Sequence, residues 1–120
     1  MDGRPILLVD DEPAICDAVS YALFSEGYKV EVAHNGLEAV HAIERQRPSL
    51  VVLDMHMPVL DGWGFSKAIR ERGFDPPILV ITATAGSAEQ AAKEIEADGY
   101  CQKPFPLNEF LHSVEVLRIP

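Results

Sequence analysis

Short apolar runs alternate with helical stripes along this chain. Pro5 to Val9 (PILLV) stops at the carboxylates Asp10-Asp11, Leu50 to Leu53 (LVVL) stops at Asp54, and Ile78 to Ile81 (ILVI) stops at Thr82. Runs this short, rich in β-branched residues and bounded by polar ones, predict buried strands. Lys29 to Ala33 (KVEVA) alternates instead, which predicts a strand with one face in water. Gly99 to Gln102 (GYCQ) predicts a short, weak strand leading to Lys103-Pro104.

Helical stretches lie between and after these runs. The first begins at Pro13, with Glu12 or Asp11 placed to cap it, carries Ala14, Ile15, Ala18, Val19, Ala22 and Leu23 inward, and ends at Gly27. Asn35-Gly36-Leu37-Glu38 has the form of a capping box and opens a second helix, to about Arg45. A third follows Asp61-Gly62, with Phe65, Ala68 and Ile69 inward. Ser87 to Gln90 is another capping box, opening a helix whose stripe is mostly alanine: Ala88, Ala91, Ala92, then Ile95. So small a stripe predicts a lightly held, mobile helix. The last helix presents Leu107, Phe110, Leu111, Val114 and Leu117 on one face.

Strands separated by helices imply a parallel sheet with right-handed crossovers. The three wholly apolar strands belong inside and the two weaker ones at the edges. The expected fold is therefore α/β: a flavodoxin-like, doubly wound five-stranded parallel sheet of order 2-1-3-4-5 with five helices. At 120 residues one domain spanning 1–120 is expected, and 48% hydrophobic content excludes a disordered chain. The formal charge of −9 argues against direct contact with nucleic acid. Cys16 and Cys101 show no metal-like spacing and read as buried free thiols in a reducing compartment. With no signal-peptide core and no membrane-length apolar run, a soluble cytoplasmic protein with no membrane association is expected.

Ligands of such sheets bind beyond the carboxyl ends of the strands. Asp10-Asp11, Asp54, Thr82 and Lys103 all stand at such ends. Alone, Asp54 could be a loop aspartate or a helix cap; the convergence of several strand ends is what gives it chemistry. Clustered carboxylates repel one another, and a hard divalent cation relieves them; oxygen-only ligands suit Mg²⁺ (or Mn²⁺). Cation, lysine and hydroxyl together would bind the oxygens of a phosphoryl group in transfer, with Asp54 left to attack.

The motifs LLVDDEP (Leu7 to Pro13), LDMHMPVLDG (Leu53 to Gly62), ITAT (Ile81 to Thr84) and DGYCQKPF (Asp98 to Phe105) occur in order across the chain. In these it resembles the receiver domains of the two-component response regulator family. The resemblance implies that Asp54 accepts phosphate from a sensor histidine kinase or a histidine phosphotransfer protein. It implies that Asp11 binds the metal directly, Asp10 mainly through water, and the His56 backbone carbonyl completes the set with Asp54. Thr82 and Lys103 would bind phosphoryl oxygens, Tyr100 would be an aromatic switch, and Lys103-Pro104 would be cis. The surface of the fourth helix, fifth strand and fifth helix would be read by an output domain, a downstream protein or a second protomer. His56 and Thr84 fill two places that tune phosphoryl lifetime in the family. Such a domain catalyses only its own phosphorylation and dephosphorylation. Both a stand-alone receiver and one cut from a longer chain stay open.

Plainer readings stand beside these. Tyr100 reads equally as edge-strand packing, His56 as an exposed loop residue, and Trp63 as packing near the site. Met55 and Met57 read as gap-filling, and His34, His41 and His112 as surface or partly buried side chains. Two rival functions compete with the receiver reading. A Mg²⁺-dependent phosphohydrolase working through an aspartyl-phosphate needs a second carboxylate beside the nucleophile, where this chain has His56, and a cap domain. A flavin-binding module needs a phosphate loop after the first strand, where Asp10-Asp11-Glu12 would repel phosphate.

Overall fold

The computed structural model describes residues 3–83 and 87–120. The elements run β1 (Ile6–Val9), α1 (Pro13–Ser25), β2 (Val30–Ala33), α2 (Gly36–Arg45), β3 (Leu50–Asp54), α3 (Gly62–Glu71), β4 (Ile78–Thr82), α4 (Ala88–Ile95), β5 (Gly99–Gln102) and α5 (Leu107–Leu117). The strands pair in parallel in the order β2-β1-β3-β4-β5, as expected. Every residue of β1, β3 and β4 is buried, whereas β2 and β5 are partly exposed. Helices cover both faces of the three central strands, so these strands can be apolar throughout.

Alternation along each strand divides the core in two. Leu7, Val9, Val51, Leu53, Ile78 and Val80 join α2, α3 and α4 through Ile43, Phe65, Ile69 and Ile95. Ile6, Leu8, Leu50, Val52, Leu79 and Ile81 join α1 and α5 through Val19, Leu23, Phe110 and Val114. The register sets Val9 beside both Ala33 and Leu53, Asp54 beside Ile81, and Thr82 beside Gln102. Strand ends are thereby level, and the residues after each strand emerge at one edge.

Several local expectations need correction. On α1 the buried face is Cys16, Val19, Ala22 and Leu23; Ala14 and Ala18 face solvent and Ile15 is half-buried. Two stripes fit the helical period, and the one clustered with Phe110 and Val114 is the one that is buried. Neither Glu12 nor Asp11 caps α1 by its side chain; Asp10 Oδ1 instead accepts from the Glu12 amide at 3.0 Å. Asn35 caps α2 by accepting from the Glu38 amide at 2.8 Å, but the return bond from Glu38 reaches the His34 amide, one residue before the cap. Ser87 accepts from the Gln90 amide at 3.1 Å, while the Gln90 side chain turns away to Glu94. Leu107 is exposed because the loop residue Phe105 stacks on Phe110 and takes the inward place the pattern gives to leucine. The alanine stripe of α4 is buried as expected.

Candidate functional site

The carboxyl edge of the sheet gathers the polar groups that end its strands. Asp10 follows β1 and its amide bonds to the Ala33 carbonyl at 3.1 Å, which fixes it beneath the surface; it is wholly buried. Asp54 closes β3 and is also buried, whereas Asp11 is exposed. Carboxylate oxygens of Asp10, Asp11 and Asp54 lie within 4.8 Å of one another. Lys103 follows β5, and its amide continues the ladder to the Thr82 carbonyl at 2.8 Å. Its ammonium sits 2.8 Å from Asp10 Oδ2, 3.4 Å from Glu12 Oε1 and 3.9 Å from Asp54 Oδ2. The Lys103-Pro104 peptide is cis, as expected. Thr82 is buried at the end of β4 and lines, with Asp11, Glu12, Asp54, His56, Ala83 and Lys103, an open cavity of about 280 Å³.

The charges in this cavity are unequal in number. Burial raises the Asp54 carboxyl from 3.8 to about 6; Lys103 opposes the rise, the Asp10 charge adds to it, and the His56 amide at 3.3 Å holds it back. Burial alone would lower the Lys103 ammonium. The hydrogen bond to Asp10 and the charges of Asp54 and Asp10 outweigh it and hold Lys103 above its ordinary value. One cation facing this group of carboxylates leaves negative charge over. The donor set is all oxygen, and Asp11 keeps it open to solvent, which fits a hard divalent cation such as Mg²⁺. Among the described residues no other cluster of this kind occurs.

Other predicted residues fall around the site. The His56 ring is exposed and makes a T-shaped contact with Trp63, with centroids 5.4 Å apart; its amide, not its imidazole, faces Asp54. Tyr100 is half-exposed on β5 and does not line the cavity. Thr84 lies outside the described residues. Met55 and Met57 are buried in the core, and His34, His41 and His112 are exposed. Cys16 and Cys101 are both free, but only Cys16 is buried; Cys101, on the edge strand β5, is half-buried. The Cys16 thiol donates to the Asp10 carbonyl at 3.2 Å, and burial, then the Asp10 charge, push it up to about 11.

Two contributors escape a reading of the sequence. Glu12, expected as a helix cap, reaches Lys103; its place two residues after Asp10 is the available signal. Gln102 donates to the Thr82 carbonyl at 3.0 Å and accepts from the Ala88 amide at 2.8 Å, tying the end of β4 to the start of α4. Nothing in its spacing announces this. Gly62 is also required by the site. Its amide bonds to the Met55 carbonyl at 3.0 Å, and a Cβ there would come within 2.5 Å of Met55 Sδ and 2.8 Å of Met55 Cα. The start of α3 is thus pressed against the residue after Asp54. A larger hollow of about 760 Å³ lies at the opposite edge of the sheet, lined by Phe74, Asp98 and Ile119 among others, and gathers none of the predicted site residues. No helix among the described residues is long and apolar enough to cross a membrane.

Residues 6–115 match the model of the response regulator receiver domain. Response regulator MprA of Mycobacterium avium (strain 104) is 42% identical over 113 residues, which cover 93% of this chain and 50% of that protein. The chain therefore spans about half the length of the curated relatives it matches. Among solved structures, Vibrio cholerae chemotaxis protein CheY4 superposes with a TM-score of 0.86 at 33% identity, covering 97% of this chain and 99% of that one. The receiver domain of sensor histidine kinase PA1611 from Pseudomonas aeruginosa, described with a magnesium ion in its active-site cleft, gives 0.86 at 33% identity over 97% and 98% of the two chains.

Proposed function

The chain belongs to the response regulator receiver family, and from that premise we propose that it is a phosphoacceptor signalling domain, one domain over 1–120, with Asp54 as the acceptor. The observation that carries this reading is the buried Asp54 carboxylate, with the Lys103 ammonium and two further carboxylates gathered around it. Near neutral pH, above its value of about 6, Asp54 is ionised yet poorly hydrated, the condition of an activated oxygen nucleophile. Its oxygen forms a bond to the phosphorus of a phosphohistidine on a sensor kinase or phosphotransfer protein. The N–P bond breaks, and the imidazole leaves with the electron pair. Lys103 and Thr82 bind the oxygens of the transferring group. Asp10, Asp11, Asp54 and the His56 carbonyl would hold Mg²⁺ or Mn²⁺. When bound, the ion neutralises charge on the phosphoryl oxygens.

The domain regulates and does not turn over an external substrate beyond its own phosphorylation and dephosphorylation. Thr82 and Tyr100 would carry the switch to the face of α4, β5 and α5, where an output domain, a downstream protein or a second protomer reads it as a population shift. The relatives' family and the absence of a basic footprint favour a cytoplasmic place and no direct nucleic-acid contact.

The test is intact mass after incubation with Mg²⁺ and a small acyl-phosphate donor. Wild type gains one phosphoryl group and Asp54→Asn gains none. A phosphoryl gain on Asp54→Asn would sink the assignment, and sustained turnover of an added phosphomonoester would revive the hydrolase reading.

A further inference from the structure

The α4 helix has little of its own to hold it. Its buried stripe of Ala88, Ala91, Ala92 and Ile95 is made largely of small side chains, which bury little apolar area. Gln102 ties the start of α4 to the end of β4, and the α3 helix grips its C-terminal turn. Trp63, in its first turn, donates from Nε1 to Glu94 Oε1 of α4 at 2.8 Å, and Gln90 Nε2 steadies the other carboxylate oxygen at 3.2 Å. Arg70, two turns along the same face of α3, donates to the Ile95 and Glu96 carbonyls, next to Glu94 in the C-terminal turn of α4.

The Trp63 end of this grip leads to Asp54. The His56 ring meets the indole in a T-shaped contact, and the His56 amide donates to Asp54 Oδ1 at 3.3 Å. The Gly62–Met55 contact leaves no slack between the loop after Asp54 and the first turn of α3. Close-packed groups of this kind transmit displacement instead of absorbing it.

We propose that Trp63 is a positioning residue that ties the state of the Asp54 carboxylate to the seating of α4, by a route separate from Thr82 and Tyr100. The inference rests on the phosphoacceptor reading of Asp54. A group joined to Asp54 changes the oxygen that the His56 amide holds. His56 and Met55 readjust, the indole follows, and its bond to Glu94 is kept or released. That bond is the two-position element which the site at one end and α4 at the other both bias.

Trp63 is the only tryptophan, so its indole N–H gives a single resonance. Proton spectra of the full chain are recorded with Mg²⁺, before and after saturating beryllofluoride as phosphoryl mimic. In wild type the indole resonance and the amides of Ala88–Ile95 shift together. Glu94→Ala, at an exposed position, at least halves the α4 response and leaves the Tyr100 amide response in place; Glu94→Gln, which keeps an acceptor oxygen, restores the α4 response. Trp63→Phe, which keeps a ring for His56 but removes the donor, behaves as Glu94→Ala does. An indole resonance that stays still while the Asp54 and His56 amides move overturns the inference alone, as does an unchanged α4 response in Glu94→Ala. Loss of the α4 and Tyr100 responses together shows one route and overturns it too. Failure of wild type to gain a phosphoryl group in the intact-mass assay removes the phosphoacceptor reading, and this inference with it.

Discussion

Replacing Asp54 by Asn should stabilise the metal-free domain, and the gain should depend on pH in one direction. Asp54 is only 5% exposed, and the value of its carboxyl rises from 3.8 to about 6 on folding, chiefly through burial. A raised folded value means that the native state favours the protonated form. The contribution is fully present below 3.8 and is lost as pH climbs through 6. At about 1.4 kcal/mol per pH unit, the rise corresponds to about 3 kcal/mol of stability missing at neutral pH. Asn occupies the same volume, does not titrate, and still offers Oδ1 to the His56 amide. Asp54→Asn should therefore exceed wild type by up to about 3 kcal/mol at neutral pH, roughly 10 °C in Tm for a domain of this size. That excess should shrink across the interval from 6 to 3.8. The assay is urea unfolding followed by circular dichroism, in chelator, at several pH values. Only the difference between the two proteins is read, so titrations common to both cancel. Adding Mg²⁺ should then narrow the gap at neutral pH, because ligand bound to the native state stabilises by mass action and wild type holds one more carboxylate for it. A difference that stays flat from acid to neutral pH refutes the buried, ionised Asp54 on which the argument stands.

Lys103→Met leaves Asp10 buried without its cationic partner and removes the charge that holds Asp54 down, so it should cost on the order of 3 kcal/mol at neutral pH, measured by the same unfolding assay. Gly62→Ala drives a methyl group into the Met55 backbone and should destabilise by roughly 1–3 kcal/mol, with amide shifts at Met55 and His56 confirming where the strain falls. Val59 is a β-branched residue at φ 71°, and Val59→Gly should stabilise by about 1 kcal/mol in urea titration, since relief of the left-handed strain exceeds the added chain entropy of glycine.

Much of this molecule was legible from its sequence because the deciding forces act locally. Apolar runs of four or five residues ending at Asp10, Asp54 and Thr82 fix where β1, β3 and β4 stop, and a parallel sheet aligns such ends at one edge. The order of strands followed from which runs tolerate burial on both faces. The set Asp10, Asp11, Asp54, Thr82 and Lys103 was legible for the same reason: each is the first polar group after a strand, or next to it.

What the sequence left open depends on groups remote along the chain. Two stripes on α1 satisfy the helical period, and the buried one, Cys16, Val19 and Leu23, is the one that shares a core with α5. The forward half of each capping box was predictable from four residues. The return half was not, because the Gln90 side chain is drawn to Glu94, which Trp63 also holds. Pairs such as Trp63 with Glu94, Arg70 with the end of α4, and Gln102 with Ala88 leave no periodic trace, since each involves a single side chain meeting a distant backbone or carboxylate. Depth was decided in the same way. Asp10 and Asp11 are adjacent and chemically identical, yet one is sealed under the sheet edge against Lys103 and the other meets water. Both lie beyond the end of β1, and only the packed chain around them sets which one is dry.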